Sequence, residues 1–74
     1  MIEEQKNSMS INNLKVGQCY FIKNHGESTS FMVLEMVGEE DFRIKDLLSL
    51  EVYQLSDLLK YGRGNDFELN ELDC

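Results

Sequence analysis

The sequence predicts a small, mainly β domain: a twisted, partly open barrel of about five strands with one short helical turn before the last strand. Three observations predict it. Apolar residues occupy both faces of successive extended segments instead of recurring at helical spacing. The breaks between those segments are short, polar and glycine-containing, and the chain has no proline. At 74 residues the chain supports one core and no more, so a meander of short strands buries its oily sides only by curling over itself.

The elements follow in order. Residues 1–13 read as a flexible N-terminal arm, in which Ile2, Met9 and Ile11 are too scattered to build an element and Ile11 is the point of docking; residues 14–74 form the domain. Leu14 to Gln18 leads into the first strand, with Gly17 allowing a bend. Gln18 to Lys23 is rich in strand formers and places Cys19 and Phe21 on one face, Tyr20 and Ile22 on the other. Asn24 to Ser28 is a turn, for which Asn24 and Gly26 supply positive φ. Thr29 to Val37 is a long second strand that alternates Phe31, Val33 and Val37 with Met32, Leu34 and Met36, and a strand of this length bends midway in a barrel.

A second turn, Gly38 to Asp41, leads to Phe42-Arg43-Ile44-Lys45, where Phe42 and Ile44 face in and the two cations face out. Residues 45–60 admit two readings. One is a hairpin that turns near Ser49 and returns through Val52-Tyr53-Gln54, followed by a helical turn. The other is a single helix rich in leucine. Val52 and Tyr53 favour the hairpin. Ser56 then serves as N-cap of a turn over Asp57–Tyr61, which Gly62 ends, with Leu58 and Leu59 plugging the barrel. Phe67 to Leu72 is the last strand, with Phe67 and Leu69 inward.

The lead-in Leu14-Lys15-Val16-Gly17-Gln18 and the helical turn before the last strand resemble SH3-like barrels. The segment Val52 to Phe67, containing Lys60-Tyr61-Gly62-Arg63-Gly64-Asn65, is similar to the C-terminal half of small uncharacterised bacterial proteins of the Bacteroidetes group. The resemblance spans about residues 14–72. It implies a barrel and no activity. The chain has no tryptophan, so recognition of proline-rich peptides through an aromatic groove is not implied.

The net charge of −7, from 14 acids against 7 bases, makes nucleic acid and anionic membranes unfavourable partners, because both are held by clustered Lys and Arg. No apolar run reaches the ~20 residues of a membrane helix. Cys19 reads as a small buried hydrophobe and Cys74 as exposed and mobile. Neither has a metal-ligand partner at suitable spacing, so the cysteines read as unpaired and the compartment as the cytoplasm. No cofactor, metal or catalytic set is expected. His25 stands in a turn without a partnered nucleophile, and Glu39, Glu40 and Asp41 fall short of a calcium loop.

The candidate binding residues are Lys60, Tyr61 and Arg63, which put two cations, a ring and two flexible glycines into one loop of an acidic chain; the competing reading is that Gly62 and Gly64 only shape the turn from helix to strand, with Tyr61 packed on the barrel end. Arg and Tyr are frequent interface anchors, and free glycine amides there would suit an anion. Tyr20 and Phe31 are candidates to line an aromatic groove. A second apolar face, carrying Tyr20 and Ile22 with Phe31 or Met36, must be covered by the arm, the helix or another molecule. These readings favour a non-enzymatic protein-interaction module whose partner is another protein or a second copy (a homodimer), with a nucleic-acid-associated barrel as the alternative.

Overall fold

The computed structural model describes residues 10–74, and the expectation of an arm over residues 1–9 lies outside the described residues. A single 3₁₀ turn, Ile11–Asn13, precedes strands β1 (Cys19–Asn24), β2 (Glu27–Val37), β3 (Asp41–Asp46) and β4 (Val52–Gln54), a short helix α1 (Leu55–Leu58), and strand β5 (Glu68–Leu72). All pairings are antiparallel. The strands form one open sheet in the order β4-β3-β2-β1-β5. The first four make a meander, and the last returns across the helical turn to pair with β1. This is the mainly β, partly open barrel order that the sequence predicts.

β2 pairs with β1 through its first half and with β3 through its second, with a bulge between Val33 and Glu35. A bulge adds a residue on one side of the ladder and increases the local bend. It lets the 11-residue strand curl the sheet onto its own concave face. That face carries Tyr20 and Ile22 of β1, Phe31 and Val33 of β2, Phe42 and Ile44 of β3, and Leu69 of β5, closed by Leu14 and Leu55. Ile11, Tyr53, Leu58, Leu59 and Phe67 pack around this cluster.

Three expectations are corrected here. Tyr20, Ile22 and Phe31 belong to the inner core and not to a second, outer face; alternation cannot choose the inner side of a strand that is apolar on both. The outer side instead carries Cys19, Phe21, Met32 and Leu72, and the register sets Met32 and Leu72 directly opposite Cys19. The helical turn is Leu55–Leu58 with Gln54 at its N-cap, in place of Asp57–Tyr61 capped by Ser56. The reason is two carboxylates. Asp57 accepts the Gln54 amide at 3.3 Å and Asp41 accepts the Ser56 amide at 3.1 Å, so Ser56 falls inside the first turn, and Leu55 becomes the fully buried plug.

The third correction concerns the cysteines, since Cys19 and Cys74 form a disulfide with Cα atoms 5.9 Å apart across 55 residues of sequence. Leu72 lies opposite Cys19, and two residues further on the chain brings Cys74 back to the same side. This proximity comes from the β1–β5 register, which sequence spacing does not reveal.

The hairpin reading of residues 45–60 holds. Arg43, Ile44 and Lys45 pair with Gln54, Tyr53 and Val52. Asp46 starts the reversal: its Oδ1 accepts the amides of Leu48 at 2.8 Å and Ser49 at 3.0 Å. Short polar side chains that satisfy amides two and three residues ahead compete with helix in this way. Leu50 closes the turn with φ 65°. Among the described residues no helix is long and apolar enough to cross a membrane.

Candidate functional site

The loop that follows α1 is fastened to the β1–β2 turn by side chains about 40 residues away in sequence. The turn itself is the two-residue type that matches strand twist, with positive φ at His25 (52°) and Gly26 (80°). The first of these positions had been expected at Asn24. Asn24 instead ends β1 and is the one buried polar side chain among the described residues. Its Nδ2 donates to the Gly62 carbonyl at 3.0 Å, and its Oδ1 accepts the Gly64 amide at 2.7 Å. This orientation of the amide group is the one that satisfies both, because the exchange would set donor against donor and acceptor against acceptor.

His25 adds a second donor to the same carbonyl. Its Nε2 lies 2.9 Å from Gly62 O. A carbonyl oxygen only accepts, so the proton sits on Nε2. Asp66 completes the clasp from the other side. One carboxylate oxygen accepts the His25 amide at 2.8 Å and the other accepts the Gly26 amide at 2.7 Å. The amide of Gly26, above all, holds the Asp66 carboxyl below the usual carboxylate range; desolvation opposes it, and the His25 amide adds to the lowering. Gly64 lets the two side chains approach the loop closely. A Cβ built there would stand 2.9 Å from His25 Nδ1 and 3.0 Å from an Asp66 oxygen.

The clasp settles what the glycine amides do. The Gly64 amide is taken by Asn24 and the Gly62 amide by the Leu59 carbonyl at 2.9 Å. Neither is free for an anion.

On this fixed base the loop turns three of the candidate side chains outward. Lys60, Tyr61 and Arg63 are exposed, Tyr61 at 80%. Lys60 Nζ lies 5.4 Å from the centre of the Tyr61 ring, and the Arg63 guanidinium lies 4.9 Å from the Phe67 ring. Neither cation forms a salt bridge among the described residues, where the ion pair present is Arg43–Glu35 at 2.7 Å. The loop stands as a ridge between two open grooves. One, of about 460 Å³, runs past His25, Leu58 and Tyr61. The other, of about 670 Å³, lies between Ile11, Leu55, Leu59 and Arg63, with Glu40 and Asp57 at its rim.

The structure does not bring Tyr20 and Phe31 to this site. Both are buried, at 1% and 0% exposure, with ring centres 5.9 Å apart in the core. The Tyr20 hydroxyl accepts the Lys15 amide at 2.9 Å. Tyr20 borders a groove with Leu14, Lys15 and Glu71, but Phe31 does not reach it, so the two rings form no shared aromatic groove and that expectation is corrected. Asn24, His25 and Asp66, which build the site, were not among the candidates. The turn signal at residues 24–26 was readable, but nothing in sequence spacing joins it to Asp66.

A second acidic anchor holds α1. Asp41 accepts the amides of Phe42 at 2.8 Å and Ser56, and the Gln54 side-chain amide at 2.7 Å. Burial pushes its carboxyl up, and the bonds from Ser56, Phe42 and Gln54 together outweigh it, so the carboxyl titrates below its ordinary range. Asp41 thus serves the fold, and no group of three or more His, Cys, Asp or Glu among the described residues is placed to hold a metal ion. Comparison with family models, with curated proteins and with solved structures finds no match to this chain.

Proposed function

We propose that this chain is a non-enzymatic protein-interaction module that docks an acidic partner surface on the ridge formed by Lys60, Tyr61 and Arg63. The observation that carries the reading is the combination at one loop: a ring 80% exposed, flanked by two cations outside any salt bridge among the described residues, on a base fixed by the Asn24–His25–Asp66 clasp. A preorganised loop loses little entropy on binding. In a chain of net charge −7, a local positive ridge selects a partner of complementary sign and steers its approach.

A second copy of the chain is the other reading, and a different observation favours it. Leu48, Leu50 and Val52 are exposed at 92%, 62% and 51% on the β3–β4 hairpin, beside the open edge of β4. One ground for the cytoplasmic placement, unpaired cysteines, does not hold. The Cys19–Cys74 disulfide instead supports an oxidising compartment.

Affinity capture from the native host, comparing wild type with the Tyr61→Ala/Arg63→Glu double variant and with Leu48→Ser, tests the reading. The double variant is expected to lose its partner at least tenfold, more so at low salt, while Leu48→Ser keeps it. Equal capture by all three overturns the ridge proposal. Concentration-dependent light scattering abolished by Leu48→Ser alone would establish the self-association reading in its place.

A further inference from the structure

We propose that Cys74 is a thiol-exchange site, at which a low-molecular-weight thiol opens the Cys19–Cys74 bridge and stays attached as a mixed disulfide while the sheet remains folded. The two bridged cysteines are unequally exposed. Cys19 has no exposed surface, whereas Cys74 is an exposed residue two positions beyond the end of β5. An incoming thiolate must reach the sulfur it attacks, and of the two bridged residues only Cys74 is exposed, so attack is directed there. The new bond forms between the incoming sulfur and Cys74 Sγ, and the Cys19–Cys74 bond breaks. Cys19 leaves as thiolate and takes up the proton that the incoming thiol gave to solvent. One thiol and one disulfide become one mixed disulfide and one thiol. The incoming sulfur is oxidised as Cys19 is reduced, and no further oxidant is needed.

The site can open without dismantling the domain. The core cluster of Leu14, Tyr20, Ile22, Phe31, Val33, Phe42, Ile44, Leu55 and Leu69 lies on the concave side and does not include Cys19. β5 is held by its own ladder to β1 through five residue pairs, independent of the bridge. The released Cys19 thiol sits between Met32 and Leu72, where a protonated cysteine behaves as a small apolar side chain. Burial there disfavours the thiolate. The same burial slows both the departure of Cys19 and its return as a nucleophile, so the bridge opens slowly and the adduct at Cys74, once formed, recloses slowly.

Oxidised protein in a graded glutathione redox buffer, quenched with acid and mapped by peptide mass spectrometry, tests this directly, with amide dispersion in a parallel NMR spectrum reporting the fold. The expected result is a single glutathione on Cys74, a free thiol at Cys19 and unchanged dispersion. An adduct on Cys19, passage to two thiols with no trapped adduct, an unreactive bridge, or collapse of dispersion together with adduct formation each overturns the proposal. In Cys74→Ser, the Cys19 thiol should alkylate with iodoacetamide at least tenfold more slowly in the native protein than in urea. Equal rates in a variant that is folded by NMR overturn it, and if that variant does not fold, the glutathione mapping decides alone.

Discussion

Asp46 and Asp66 do similar work toward opposite edges of the sheet, and over very different distances in sequence. Asp46 accepts amides two and three residues ahead of itself and, through its other oxygen, the Tyr53 hydroxyl at 2.8 Å. Asp66 accepts the amides of His25 and Gly26, 41 and 40 residues away. The first carboxylate shapes its own turn, whose tip projects Leu48 and Leu50 into solvent. The second fixes one loop against another, and the disulfide extends the same principle to a span of 55 residues. A tie between near neighbours closes a small ring and restricts the unfolded chain little. A tie across half the sequence removes more chain entropy and determines where a loop stands relative to the fold.

Removing these ties one at a time sharpens the contrast. Opening the bridge in Cys74→Ser is expected to cost about 4 kcal/mol by the loop-entropy relation for a ring of this length, measured as the shift in urea unfolding against the oxidised wild type. Asn24→Ala leaves the Gly64 amide and one lone pair of the Gly62 carbonyl without their partner, at an expected cost of about 2 kcal/mol. Asp46→Ala, which breaks only local bonds near the surface, should cost about 1 kcal/mol or less. If Asp46→Ala proves as damaging as Asn24→Ala in the same urea titration, reach in sequence is not what distinguishes them.

Acid should act on both carboxylates at once. Asp46 is held low by the Ser49 amide first, then by the Tyr53 hydroxyl and the Leu48 amide; Asp66 and Asp41 are also lowered. A carboxyl depressed in the folded state stabilises above its unfolded pKa of about 4, and that contribution is lost as pH falls through the lower folded value. Stability is therefore expected to be flat from neutral pH to about 5 and to decline below about 4, with the Asp46→Asn variant showing a shallower acid limb. The partner of Asp46 moves the opposite way. Burial first, then the bond to Asp46, pushes the Tyr53 hydroxyl up to about 12, so ultraviolet titration should show no Tyr53 ionisation at pH 10. The smallest effect belongs to Tyr61→Ala, which should change stability by no more than about 0.5 kcal/mol because the ring is 80% exposed. A larger loss would mean that the ring serves the fold and is not a free binding surface.

What was readable in the sequence divides along the same line. The strands and their turns were legible, because alternation and Gly-containing breaks are local signals. Phe42 and Ile44 face inward as read. The bend in β2 was foreseen from strand length, and the hairpin over residues 45–54 from the preferences of Val52 and Tyr53. Which side of β1 faces the core was not legible, since Cys19, Tyr20, Phe21 and Ile22 are all apolar and only the curl of the whole sheet decides between them. The bridge was missed because it depends on the Cys19–Leu72 register. At the site, Lys60, Tyr61 and Arg63 were legible as a loop from their composition, but the exposure of Tyr61 was not, since a ring at that position packs equally well on the barrel end. The residues that hold that loop still, Asn24, His25 and Asp66, act across some 40 residues and leave no local mark.

The central claim is that the loop carrying Tyr61 and Arg63 is a fixed platform and not a mobile tether. Backbone ¹⁵N relaxation at the Gly64 amide, which donates to Asn24, tests it most directly. An order parameter near 0.85, matching the strands, is the result the clasp requires; a value below about 0.6 would contradict it.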